Sequence, residues 1–273
     1  MAPTPTIDGE PDLARAHPLP PLHLRCRNLA HKGSDIFFQH TSSPQAVLSV
    51  ATSHVLRLLY PNSPSSSSSS FLCPPPPVRS ITLHLHDFDG VAYTCGSDLD
   101  NDHKELHLSL SYLEGVANRA HDDGERVRHE IEGVLTHELV HAFQYDGEGT
   151  VPGGVIEGIA DWVRGEAGLA PPHWRDEPGE DDKWDAGYER TGFFLAFLSR
   201  HLSNPHLVPQ LNAALRHSTW NDGEHLRALL GGKDVGELWE TYRRSVGKKD
   251  DEEGEAPAPV PTHGARSGYS VQY

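Results

Sequence analysis

The sequence predicts an α+β fold: a small, mostly antiparallel sheet packed on one long helix, followed by a helical C-terminal lobe. Three observations carry this expectation. Residues 78–86 and 105–113 alternate apolar and polar side chains with period two, the pattern of half-buried strands. Residues 125–145 place Val127, Ile131, Val134, Leu135, Ala142 and Tyr145 at helical spacing, which makes one apolar stripe. From Gly187 to Val246 the apolar period is helical throughout, and strands followed by a run of helices indicate segregated layers.

Taken in order, residues 1–20 are rich in proline and polar groups and read as a disordered arm. Leu22 to Asn28 is the expected first strand. Gln45 to Tyr60 repeats apolar residues at helical spacing and should be an amphipathic helix that Pro61 ends. Residues 61–77 combine prolines with a run of serines, a low-complexity loop with nothing to bury. In the next strand Ile81, Leu83 and Leu85 face one side and Thr82, His84 and His86 the other. The two histidines are expected on the wet face as ordinary surface groups. Asp87 to Gly90 suits a turn, and Val91 to Thr94 a second short strand. The acidic residues Asp98, Asp100 and Asp102 lack the glycine and terminal glutamate of a calcium loop and read as a plain turn. Glu105 to Leu113 is the expected third strand, and the best candidate for a sheet edge that a peptide could extend. Beyond an acidic, proline-rich loop at 171–183, helices are expected at Gly187–Leu202, Leu207–His217, Gly223–Leu230 and Val235–Val246. Residues 248–273 lack apolar period and read as a disordered acidic tail, leaving 21–247 as the folded domain.

A chain of 30.0 kDa suits one large domain or two closely joined lobes. The formal charge of −16 argues against nucleic acid and anionic membranes as partners, because both repel excess acid. Three cysteines, Cys26, Cys73 and Cys95, form no C-x-x-C pair and no disulfide framework. The first 22 residues contain no apolar run of signal-peptide length, and no stretch approaches a membrane span, so the chain reads as intracellular or as leaving by another route; a monomer is expected.

The most specific feature is His137-Glu138-Leu139-Val140-His141, an H-E-x-x-H run inside the helical period. Residues four apart stack on one helix face, so both imidazoles can address one metal ion. Glu138 is then placed as a general base toward water, the arrangement of metal-assisted hydrolysis by zinc. It projects near the middle of the apolar stripe, where an unpartnered carboxylate is costly. A catalytic zinc needs a third protein ligand, and Asp146, Glu148 and Glu157 follow the second histidine. A turn back at glycine and histidine three and six residues on is excluded, because those positions hold Gln144 and Gly147. Glu157 is the better choice: Gly153 to Arg164 reads as a second helix, and the glycines and proline between make a hairpin. Asp161, one turn after Glu157, can accept a hydrogen bond from the far nitrogen of His137.

The segment HELVHAFQYDGEGTVPGGVIEGIADWVR, His137 to Arg164, resembles the basic secretory protein family of plants and bacteria, which includes pathogenesis-related proteins of class seventeen. Gln144, Gly147, Gly149, Pro152–Gly154 and Ile156–Asp161 match its pattern, and a weaker likeness continues through Trp184–Tyr188. The resemblance covers roughly residues 21–247. It implies a zincin-like fold of the thermolysin-like (gluzincin) group. It further implies one zinc ion held by His137, His141 and Glu157, and a peptide or protein substrate. It also points to Tyr188 as a donor to the reacting oxyanion, since such enzymes draw a Tyr or His from the helical lobe. The alternative is a non-catalytic zinc-binding stress- or defence-related protein, which a fourth ligand from Asp146 or Glu148 would favour. The chain departs from the basic, often secreted character of that family in its acidity, its lack of a visible signal peptide and its Ser/Pro insert.

Overall fold

A computed structural model describes residues 17–61, 73–121 and 123–252. The arm to residue 16, most of the Ser/Pro insert and the tail beyond 252 lie outside the described residues. The order of elements is β1 (Leu22–Cys26), α1 (Lys32–His40), α2 (Pro44–Leu59), β2 (Ser80–His86), β3 (Ala92–Ser97), β4 (Asp100–Ser109) and α3 (Leu110–Ala120). Then come α4 (Gly124–Phe143), α5 (Gly153–Glu166), α6 (Tyr188–His201), α7 (Leu207–Ala214), α8 (Glu224–Leu229) and α9 (Val235–Glu252). The class is α+β, as expected.

Strand pairing corrects the sequence reading. The sheet runs β1-β2-β4-β3, with β1–β2 and β2–β4 parallel and only β3–β4 antiparallel. It is a mixed sheet, not a mostly antiparallel one. Parallel neighbours need a crossover, and α1 and α2 supply it between β1 and β2. The hairpin β3–β4 folds so that β4 inserts beside β2 and β3 takes the edge. The segment from Glu105, expected at the edge, is therefore central, and the edge strand packed against α4 is β3.

Four further readings change. The alternation through Leu106, Leu108, Leu110 and Tyr112 stops counting as strand at Ser109. The Ser109 side chain caps α3 by accepting from the Tyr112 amide at 3.4 Å, and Leu110, Leu113 and Val116 become the buried face of a helix. Helix α1 has no counterpart in the sequence reading; the His31 ring caps it by accepting from the Gly33 amide at 3.1 Å. The histidines expected on a wet surface are not both there: His84 is 3% exposed. The last helix continues to Glu252, past the expected domain end at 247.

One sheet face carries Ile81, Leu83, Leu85, Leu106 and Leu108, all essentially dry, and packs on the helices of the central core. Helix α2 starts at a Ser43 cap with Pro44 in its first turn, and ends at Tyr60, whose hydroxyl donates to the Phe143 carbonyl at the end of α4. The C-terminal helices share that core. Phe194 of α6 meets Trp239 and Tyr242 of α9 at ring separations of 5.1 and 5.7 Å. A largely buried ion pair stitches α4 to α5: Arg164 Nη2 donates to Glu130 Oε2 at 2.9 Å, and the Tyr112 hydroxyl donates to Glu130 Oε1 at 2.7 Å.

Candidate metal centre

Helix α4 is started by Asp123, whose carboxylate accepts from the amides of Glu125 and Arg126 at 3.1 and 3.2 Å. Its apolar face is buried in the core, and Glu138 lies within that face at 7% exposure, as the helical period requires. Its partner comes from the edge strand. The Thr94 hydroxyl sits 2.8 Å from Glu138 Oε2 and 2.9 Å from the Glu138 carbonyl oxygen, so its one proton serves either acceptor.

Helix α5 returns beside α4 and delivers two carboxylates. This approach depends on glycines. A Cβ at Gly154 would fall on the Asp185 carbonyl oxygen, and one at Gly158 on the Thr191 side chain, so α5 can lie against the start of α6 only without them. The result brings together His137 Nε2, His141 Nε2 and Glu157 Oε2. The two imidazole nitrogens are 3.2 Å apart, and Glu157 Oε2 lies 3.1 Å from His137 and 3.7 Å from His141. Ligands about 2.0–2.1 Å from a tetrahedral zinc are about 3.3 Å from one another, so the three atoms already have the spacing one ion imposes. Two imidazoles and a carboxylate are also the donor chemistry such an ion accepts. The residues fit the metal that the H-E-x-x-H run implies.

Asp161 Oδ1 accepts from His137 Nδ1 at 2.6 Å, with Asp161 only 4% exposed. Burial pushes the His137 pKa down, but Asp161, then Glu157 and Glu138, outweigh it and raise it to about 10. Burial likewise raises the Glu157 carboxyl, and the hydrogen bonds from His137 and His141 overcome that and hold it far below the usual carboxylate range. The carboxylates around His137 thus favour its charged form. A divalent cation among the same ligands would replace that charge, leaving the Asp161 bond on Nδ1 to keep the Nε2 lone pair turned inward.

Tyr188 also reaches the site. It opens α6 with a left-handed φ of 48°, and its ring lies parallel to His137 at 6.2 Å. Asp146 and Glu148 are exposed, and neither belongs to the cluster. Two residues were not anticipated from sequence as parts of the site. Thr94 was hidden because its contact depends on how β3 packs against α4. Gln144 had a local signal, its position three residues after His141; its amide nitrogen lies 2.7 Å from His141 Nδ1, while its oxygen is buried without a hydrogen bond. The two ends of an amide exchange by a half-turn, which would let Oε1 accept from Nδ1–H and leave His141 Nε2 as a lone pair.

Against models of known families, residues 19–242 match one described as "Peptidase of plants and bacteria". The chain belongs to this peptidase family. The matched span holds the whole sheet, both site helices and α6, and stops within α9. No curated protein and no solved structure matches the chain. Cys26, Cys73 and Cys95 are free thiols. Among the described residues no helix is long and apolar enough to cross a membrane.

Proposed function

We propose that this member of the peptidase family is a zinc metallopeptidase of the thermolysin-like kind. In this reading His137, His141 and Glu157 hold one ion and Glu138 is the general base. The observation that carries the reading is the convergence of two imidazoles and a carboxylate from two helices on one point, with a further carboxylate one residue from the first histidine. A zinc ion held there supplies Lewis acidity, polarising the scissile carbonyl and bringing the pKa of water toward about 7.

The protein's own groups do the rest. Glu138 accepts the proton of the attacking water at a carboxylate oxygen and passes it to the leaving amine nitrogen. Thr94, by donating to Oε2, orients that carboxylate. Asp161 and Gln144 hold the two imidazole rings at the angles their ligand nitrogens need. Tyr188 supplies a hydroxyl donor toward the oxyanion from the start of α6. The exposed edge of β3, next to Glu138 through Thr94, receives the substrate as an added strand. The substrate is a peptide or protein segment, and the enzyme acts as a monomer.

Zinc content and cleavage of a mixed peptide pool, with and without a chelator, test the proposal. The purified chain should contain zinc and cleave, and the chelator should stop cleavage. Glu138→Gln should lower turnover by about 10²–10⁴-fold while zinc still binds. Full activity in that variant, or cleavage that ignores the chelator, would overturn the assignment. A zinc-loaded wild type that cleaves nothing would point to the non-catalytic binder.

A further inference from the structure

The sheet face turned away from the core gathers a second set of metal-ligating groups. His84 of β2 and His107 of β4 are register partners, and their rings stack at 4.6 Å. Glu105, two residues before His107, places Oε2 3.6 Å from the Nε2 of each histidine. Cys95 of β3, the register partner of Glu105, brings Sγ to 3.8 Å from His107 Nε2. Both ring nitrogens of His84 are buried and neither has a hydrogen-bond partner. A fully enclosed imidazole without a partner is an arrangement that native cores avoid.

We propose that His84, Glu105 and His107, with Cys95 as fourth ligand, form a second site for a zinc-class transition metal ion. Neighbouring ligands in a tetrahedral zinc site stand about 3.3 Å apart for two N/O donors and about 3.6 Å for N and S; Glu105 Oε2 is 3.6 Å from each histidine, and Cys95 Sγ is 3.8 Å from His107. His86 Nε2 lies 2.9 Å from His107 Nδ1, and in the tautomer where Nδ1–H donates to it the His107 lone pair is on Nε2, on the side of Glu105 and Cys95. Burial, then the neighbouring histidines, hold His107 down at about 4, so its ring is neutral and available as a ligand at neutral pH.

Arg27 acts on both histidines, and Arg25 on His84, as repelling charges. A hard cation held by charge alone is therefore disfavoured. An ion that bonds imidazole and thiolate is selected over calcium or magnesium. On coordination the Cys95 thiol releases its proton to solvent, and its thiolate with Glu105 balances the two positive charges of the ion. The ion enters past Glu105, whose side chain is 30% exposed.

Metal content of the full chain after dialysis against zinc, and separately against cobalt(II), tests the site. Wild type should hold two ions. Glu157→Ala should hold one, as should Glu105→Gln and the His84→Gln/His107→Gln pair. Circular dichroism of each variant checks that the loss does not come from unfolding, and Glu105→Gln, at a partly exposed position, is the variant least able to disturb the core. The cobalt form of Glu157→Ala should show a thiolate charge-transfer band that Cys95→Ser removes. One ion in wild type that survives Glu157→Ala would support this site and sink the first. One ion in wild type and none in Glu157→Ala, or two ions persisting in a folded Glu105→Gln chain, would overturn the proposal. Absence of the thiolate band would remove Cys95 from it.

Discussion

Asp161→Asn isolates the contribution of the carboxylate behind His137. The bond from His137 Nδ1 to Asp161 Oδ1 is 2.6 Å, short enough to be charge-assisted, and the two side chains are 12% and 4% exposed. Water screens it little. Removing the partner of a metal-bound histidine generally lowers affinity about 10–100-fold. The short distance and deep burial place this pair at the upper end, about 100-fold, which corresponds to about 2.8 kcal/mol. Two effects add. The asparagine has no charge to make the imidazole more basic, and its amide can turn its nitrogen to Nδ1, which moves the ring proton to Nε2 and blocks the lone pair. Zinc affinity of both proteins, measured by competition with a chromophoric chelator, reads the change directly. Glu166→Gln, an exposed carboxylate on the same helix, serves as control and should not move. The metal-free variant should also lose the elevated His137 pKa, which NMR titration would follow. Affinity in Asp161→Asn within about twofold of wild type would refute the reasoning, because less than about 0.4 kcal/mol would then ride on that bond.

Other expectations follow from the same geometry. Thr94→Val removes the donor to Glu138 Oε2, and steady-state kinetics should show turnover reduced about 10-fold with zinc content unchanged, as for one lost bond to a charged group. Arg164→Met strands the Glu130 carboxylate beside the Tyr112 hydroxyl, and urea unfolding should report a loss of about 3–5 kcal/mol. In chelator, acidification should destabilise the chain through His107. Its folded pKa of about 4 lies below the ordinary 6.5, so between these values the unfolded state binds the extra proton. Stability is full above about pH 6.5 and declines as pH falls toward 4, a trend that thermal melts would follow and that His107→Gln should flatten.

Much of the site was legible because its parts are local. The H-E-x-x-H run needs only the pitch of one helix to bring His137 and His141 together, and its helical setting was visible in Val127, Ile131, Val134 and Leu135. Glu157 and Asp161 needed one more step, the glycine- and proline-broken hairpin. The four C-terminal helices were also legible, since each repeats its own apolar period. Legibility failed where one pattern serves two structures. Leu110 fits both a strand that continues and a helix that begins, and the Ser109 cap decides for the helix.

By itself the sequence determined the class of fold, the helix that carries two imidazoles and a carboxylate, and the second helix that supplies Glu157 and Asp161. These rest on side-chain periodicity and short loops, which act between residues near each other in the chain. Only the tertiary structure decided that β4 lies inside the sheet and β3 at its edge, that Thr94 is the partner of Glu138, and that His84 is enclosed with Glu105 and His107. Strand order and register are chosen by contacts between segments far apart in sequence, and a period of two states which face a residue takes without stating what stands opposite it.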